Sequence, residues 1–132
     1  MPTRRKFLTS VSALTLGASI PALSENQKEK RLLVHHVFFW LKNPGSKEDL
    51  GKLIEGASSL KKIESLRMVK IGLPAGTTKR DVIDDSYSLS LLTIFDDVNG
   101  HDTYQDHPIH TKFVETYSPL WNKVVVYDSM DI

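Results

Sequence analysis

Residues Leu32–Lys42 read LLVHHVFFWLK, and the alternation of their side chains decides the fold. The run is rich in β-branched and aromatic residues. It is too short for most buried helices, and it stops at Asn43–Ser46 (NPGS), a turn cluster. It is therefore predicted to be a strand. A strand sends successive side chains to opposite faces. One face carries His36, Phe38 and Trp40, and the other carries His35, Val37, Phe39 and Leu41. Both faces are apolar, so both need cover.

The remaining elements follow from local signals. Ser46 is placed to cap a helix whose first turn carries Glu48 and Asp49, and Leu50, Leu53, Ile54, Ala57 and Leu60 recur at helical spacing. Leu66–Leu73 (LRMVKIGL) and Tyr87–Phe95 (YSLSLLTIF) are predicted strands, separated by a polar loop from Pro74 to about Ser86. Asp96–Trp121 is helical with a break near Pro108, and Asn122–Met130 (NKVVVYDSM) is the last strand. The order β-α-β-β-α-β is the ferredoxin-like pattern, an α+β fold with a four-stranded antiparallel sheet and helices on one face.

Two helices cover only one face of that sheet. An antiparallel sheet facing water shows polar residues there, yet the last strand also sets Val124 and Val126 opposite Val125 and Tyr127. A second copy of the sheet, packed face to face in a two-fold homodimer, is the expected cover.

The first residues are expected to lie outside this fold. Residues 1–24 pair basic Arg4, Arg5 and Lys6 with a modestly apolar stretch from Phe7 to Leu23, then small residues ending in Ala22 and Ser24. This is the pattern of a secretory signal peptide, here of the twin-arginine type. Residues 25–31 (ENQKEKR) read as a charged linker, leaving 32–132 as the domain. The expected location is a bacterial periplasm or the cell exterior. The whole chain has a formal charge of +1, and loss of the three basic residues of 1–24 leaves +1 − 3 = −2. With no basic patch interleaved with aromatics in the mature chain, no nucleic-acid partner is expected. No apolar run approaches the roughly 20 residues of a membrane-spanning helix, so no membrane association is expected after signal cleavage. With no cysteine, thiol nucleophiles, thiolate metal sites and disulfides are excluded.

Chemistry concentrates in Tyr104–His110, YQDHPIH. Pro108 disfavours α conformation at His107 and suits a helix's first turn, so His107 sits at a helix start and His110 in its first turn. The positive helix end and burial both disfavour imidazolium there, which leaves His110 neutral and able to act as a general base. The Tyr104 hydroxyl is placed to donate to a developing enolate oxygen. The bland alternative is that His110 satisfies a helix end and Tyr104 a loop carbonyl. Metal ligation is not expected: Pro108 separates the directions of His107 and His110, His35 and His36 point to opposite faces, His101 with Asp102 reads as exposed, and no HExxH spacing occurs. Asp84–Asp85 and Asp96–Asp97 read as solvated turn residues, although loop carboxylates such as Asp84 and Asp85 leave a hard-cation site open. No cofactor is expected.

VHHVFFWLK together with YQDHPIHTKFVE and WNKVVVYD resembles the stress-responsive dimeric α/β-barrel (Dabb) family over about Leu32 to Met130. The resemblance implies homodimers whose two sheets form a barrel. It also implies kinship with plant polyketide cyclases of the olivetolic acid cyclase type, which perform a cofactor-free aldol condensation in a pocket between sheet and helices. On that resemblance His36 matches the strand histidine, Tyr104 and His110 match the catalytic pair, and His107 and Trp121 match further positions. Leu89 stands where those cyclases have a pocket histidine, and a pocket tyrosine falls near Ala57 or Ser58. The expectation is thus a small apolar pocket lined by Phe38, Trp40, Leu53, Ile54, Leu91, His107 and Trp121, binding an apolar carbonyl compound. His36 would orient the substrate or His110. The reaction would be that of a lyase, isomerase or cyclase. A non-catalytic binding or stress-protective module is the alternative, and a cofactor-free monooxygenase a further one.

Overall fold

The computed structural model describes residues 31–132. The expected signal peptide and all but the last residue of the linker lie outside them. Strand β1 (Leu33–Leu41) leads through NPGS into helix α1 (Lys47–Ser59), which ends in a single 3-10 turn at Leu60–Lys62. Strands β2 (Leu66–Gly72) and β3 (Leu89–Phe95) follow, then helices α2 (Val98–Asp106) and α3 (Pro108–Tyr117), a 3-10 turn at Ser118–Leu120, and strand β4 (Trp121–Met130). The sheet order is β2-β3-β1-β4, with all pairings antiparallel. This is the ferredoxin-like α+β fold expected from the sequence.

The caps explain where the helices start. The Ser46 hydroxyl accepts from the Asp49 N–H at 3.1 Å, and the Asp97 carboxylate accepts from the Gly100 N–H at 2.8 Å, each satisfying a donor that the first helical turn leaves free. Asp97, read from sequence as a solvated turn residue, is thus the cap of α2. Asp96, its neighbour, pairs with Arg67 at 2.6 Å on the surface. Strand β3 begins at Leu89 rather than Tyr87. Before it, the Ser88 hydroxyl accepts from the Leu41 N–H at 3.1 Å, so a side chain replaces a backbone partner.

Burial alternates strictly along β1 and β3. Val37, Phe39 and Leu41 of β1 and Leu89, Leu91 and Phe95 of β3 face the helices, where they meet Leu53 and Ala57 of α1, Tyr104 of α2 and Phe113 of α3. Helices α1 and α3 approach closely at Gly56, where a Cβ would sit 2.5–2.8 Å from the Tyr117 ring. The other face of the sheet carries Val34, His36, Phe38 and Trp40, with Leu92, Ile94, Val125 and Tyr127 beside them. These are half-buried or exposed, and no element among the described residues packs over them as the helices do over the first face. Among the described residues, no helix is long and apolar enough to cross a membrane.

Candidate active site

The break at Pro108 builds the site. His107 ends α2 in extended backbone, with ψ at 137°. Its ring Nδ1 accepts from the Ile109 N–H at 3.0 Å and caps α3. One turn along, His110 turns its ring back onto the end of α2. A carbonyl only accepts, so the 3.1 Å contact between His110 Nδ1 and the Gln105 carbonyl places the proton on Nδ1. In the neutral ring Nε2 then carries the lone pair. The His110 ring lies 4.7 Å from the Tyr104 ring, centroid to centroid.

Tyr104 is 1% exposed. Its ring packs on Phe95 at 5.1 Å and on His35 at 6.0 Å. His35 comes from β1, is 4% exposed, and donates from Nδ1 to the half-exposed Asp128 carboxylate of β4 at 2.6 Å. The two face each other across the β1–β4 ladder.

These groups line a cavity of about 150 Å³ between the sheet and α3. The polar lining is His35, Tyr104, Gln105 and His110; the apolar lining includes Val37, Phe39, Leu91, Phe113 and Trp121. Val114, Val124 and Val126 also line it and are exposed, which sets the mouth between α3 and the edge strand β4. A dry cavity of about this volume holds a molecule the size of benzene.

The electrostatics follow from burial. Removal from water lowers the His110 pKa below the ordinary imidazole value; the Gln105 carbonyl opposes this, and the neighbouring His35 and His101 rings reinforce it. Burial likewise lowers His35, with the Asp128 carboxylate pulling the other way. It pushes the Tyr104 phenol well above its ordinary range. Near neutral pH the cavity therefore offers a neutral imidazole with a free lone pair beside a protonated phenol.

Residues 33–131 match the model of the stress responsive A/B barrel domain, Dabb. The chain belongs to the Dabb family. Among solved structures, a Dabb protein with a ferredoxin-like fold from Mesorhizobium loti is 22% identical, with a TM-score of 0.64 over 78% of this chain and 99% of that one. A dimeric ferredoxin-like protein from Thermobifida fusca is 20% identical, with a TM-score of 0.62 over 76% and 92%. The hydroxynitrile lyase of Passiflora edulis is 20% identical, with a TM-score of 0.65 over 76% and 94%. At such identities the likeness is one of fold. No curated protein matches the chain.

Within this Dabb fold the expected site residues divide. Tyr104, His110, Leu91 and Trp121 line one cavity. His36, Phe38 and Trp40 do not join them. They stand on the opposite face of the sheet, where His36 Nε2 meets the Ser90 hydroxyl at 2.7 Å, Phe38 packs on Tyr87 and Tyr127, and Trp40 donates to Ser86. The pairing of His36 with Tyr104 and His110 is therefore corrected: the histidine of β1 that reaches the cavity is His35. Leu53 and Ile54 are core and core-flanking residues of α1 that lie off the cavity lining, and His107 serves as the cap of α3. Sequence reading missed His35, Gln105 and Asp128. The signal for His35 was its shared face with Val37, Phe39 and Leu41. Leu89, Leu91 and Phe95 match that face on β3, whereas the His36 face meets Ser90 beside Leu92 and Ile94.

Proposed function

We propose that the protein is a cofactor-independent lyase, isomerase or cyclase acting on a small, largely apolar carbonyl compound. The observation that carries this reading is the His110–Tyr104 pair: an imidazole with its Nδ1 proton committed to the Gln105 carbonyl, beside a buried phenol, in a cavity that is otherwise mostly apolar. His110 Nε2 takes a proton from the carbon next to the carbonyl, and the Tyr104 hydroxyl donates to the enolate oxygen that forms. The enolate then attacks a second carbonyl, expels a β-substituent, or takes the proton back at a different carbon. The imidazolium returns its proton at the end. A positioned general base is worth roughly 10²–10⁴-fold, and a preorganised donor to the oxyanion roughly 10²–10³-fold. That a lyase shares the fold supports the reading.

The working unit is a homodimer, closed by the sheet face that carries Phe38 and Tyr127; solved relatives described as dimeric support this. The chain is exported by its twin-arginine-type signal and acts in the periplasm or outside the cell. Native mass spectrometry of the protein purified from its own periplasm tests export, assembly and ligand together. Two processed chains carrying a small extra mass are expected, and a single chain would count against the dimer. With the ligand in hand, Tyr104→Phe lowers turnover and leaves stability nearly unchanged. If that variant changes affinity alone, with no turnover to lose, the protein is a binding or stress-protective module.

A further inference from the structure

His35 also belongs to a second cluster, formed by β1, α2 and β4. One ring nitrogen of His35, one of His101 and one carboxylate oxygen of Asp128 all lie within 4.8 Å of one another. The His35 and His101 rings are 4.8 Å apart, centroid to centroid. The geometry points to a divalent transition-metal site with His35, His101 and Asp128 as its three protein ligands. This site goes beyond the reaction proposed above and does not depend on it.

Three features support the assignment. Two imidazoles and one carboxylate, without thiolate, form a nitrogen and oxygen donor set that suits zinc or ferrous iron and leaves a coordination position open. The His101 tautomer suits a ligand: its Nδ1 lies 3.2 Å from the Asp102 carboxylate, which places the proton on Nδ1 and the lone pair on Nε2. That is the outer-shell arrangement found around metal-bound histidine. Nε2 has only a 3.3 Å contact with the Gln105 amide to give up. Asp128 is half-exposed, so an ion has a path from solvent to the buried His35. Ligand atoms around a tetrahedral zinc are roughly 3.3 Å apart. The widest pair must therefore close by up to about 1.5 Å; as the ion takes the place of the Nδ1 proton between His35 and Asp128, that proton moves to His35 Nε2, so the ring stays neutral.

The test titrates the full-length protein with Co²⁺ and Zn²⁺ at neutral pH. The expected result is one ion per chain. Co²⁺ should give the intense visible bands of a low-coordinate nitrogen and oxygen site, and His101→Ala and Asp128→Asn, checked as folded by circular dichroism, should each weaken binding at least tenfold. X-ray absorption of the Zn²⁺-loaded wild type should count two imidazoles, which reads the site without any variant. Absence of one-to-one binding, a count of fewer than two imidazoles, or affinity unchanged in both folded variants would overturn the assignment.

Discussion

The Tyr104 and His110 rings lie 4.7 Å apart although they belong to different helices. The chain achieves this with one proline. Pro108 stops α2, and His107 caps α3, so the first turn of α3 folds its histidine back over the last turn of α2. The contact spans a tight turn, and packing on Phe95 and His35 from the sheet holds the Tyr104 ring in place.

The lowered pKa of His110 sets the pH dependence of proton abstraction. In the proposed reaction the base form is the active one, so kcat/KM should rise with pH as the imidazolium deprotonates. Its midpoint should lie below 6.5, the ordinary imidazole value. A pH–rate profile on any carbonyl substrate checks this. A midpoint at or above that value would mean that the ring is solvated during the reaction.

Stability should depend on pH in the same region. The pKa values of His35, His36 and His110 are all lowered in the folded protein, with burial the first cause in each case. The unfolded chain therefore binds these protons at higher pH than the folded chain does. Stability is full above the unfolded value of about 6.5. It falls as the pH drops from there toward the folded values, then stops falling on this account. Melting temperatures across about pH 5–8 should show that decline, and His110→Gln should make it shallower.

The face bearing Phe38 and Tyr127, whose ring centroids are 6.0 Å apart, is the proposed dimer interface. Light scattering at micromolar concentration should give twice the chain mass. Phe38→Glu would place a charge in that interface and should yield monomers that keep their far-ultraviolet circular dichroism. A wild-type mass of one chain would remove the partner from the account.

Gly56 tests the packing beneath the site. Alanine favours a helix over glycine by up to about 1 kcal/mol, but here its Cβ would meet the Tyr117 ring at 2.5–2.8 Å. The clash should win, with Gly56→Ala destabilising by about 1–3 kcal/mol in urea unfolding.

Most of the fold was legible in the sequence because its signals are local. The turn at NPGS, the cap at Ser46, the break at Pro108 and the two-residue alternation of β1 each follow from a few neighbouring residues. The His110–Tyr104 pair was legible for the same reason. The role of β1 in the site was not. With both faces apolar, alternation separates His35 from His36 without saying which one the helices cover. That choice depends on the match between β1 and β3, where Val37 faces Leu91 and Phe38 faces Ser90. Asp128 was invisible because its partner His35 lies across a ladder, 93 residues away in sequence. The capping role of Asp97 was local, yet it was hidden by an acidic pair that looks like any solvated turn.

Proton exchange next to a carbonyl isolates the step proposed for His110 and Tyr104. Cyclohexanone, close in size to what the cavity holds, is incubated with the protein in D₂O, and its α-protons are followed by NMR. The proposed reaction requires exchange well above the buffer rate, abolished in His110→Gln and reduced about 10²-fold in Tyr104→Phe. Exchange no faster than in buffer across a panel of small ketones and aldehydes, or exchange that survives in His110→Gln, would contradict it.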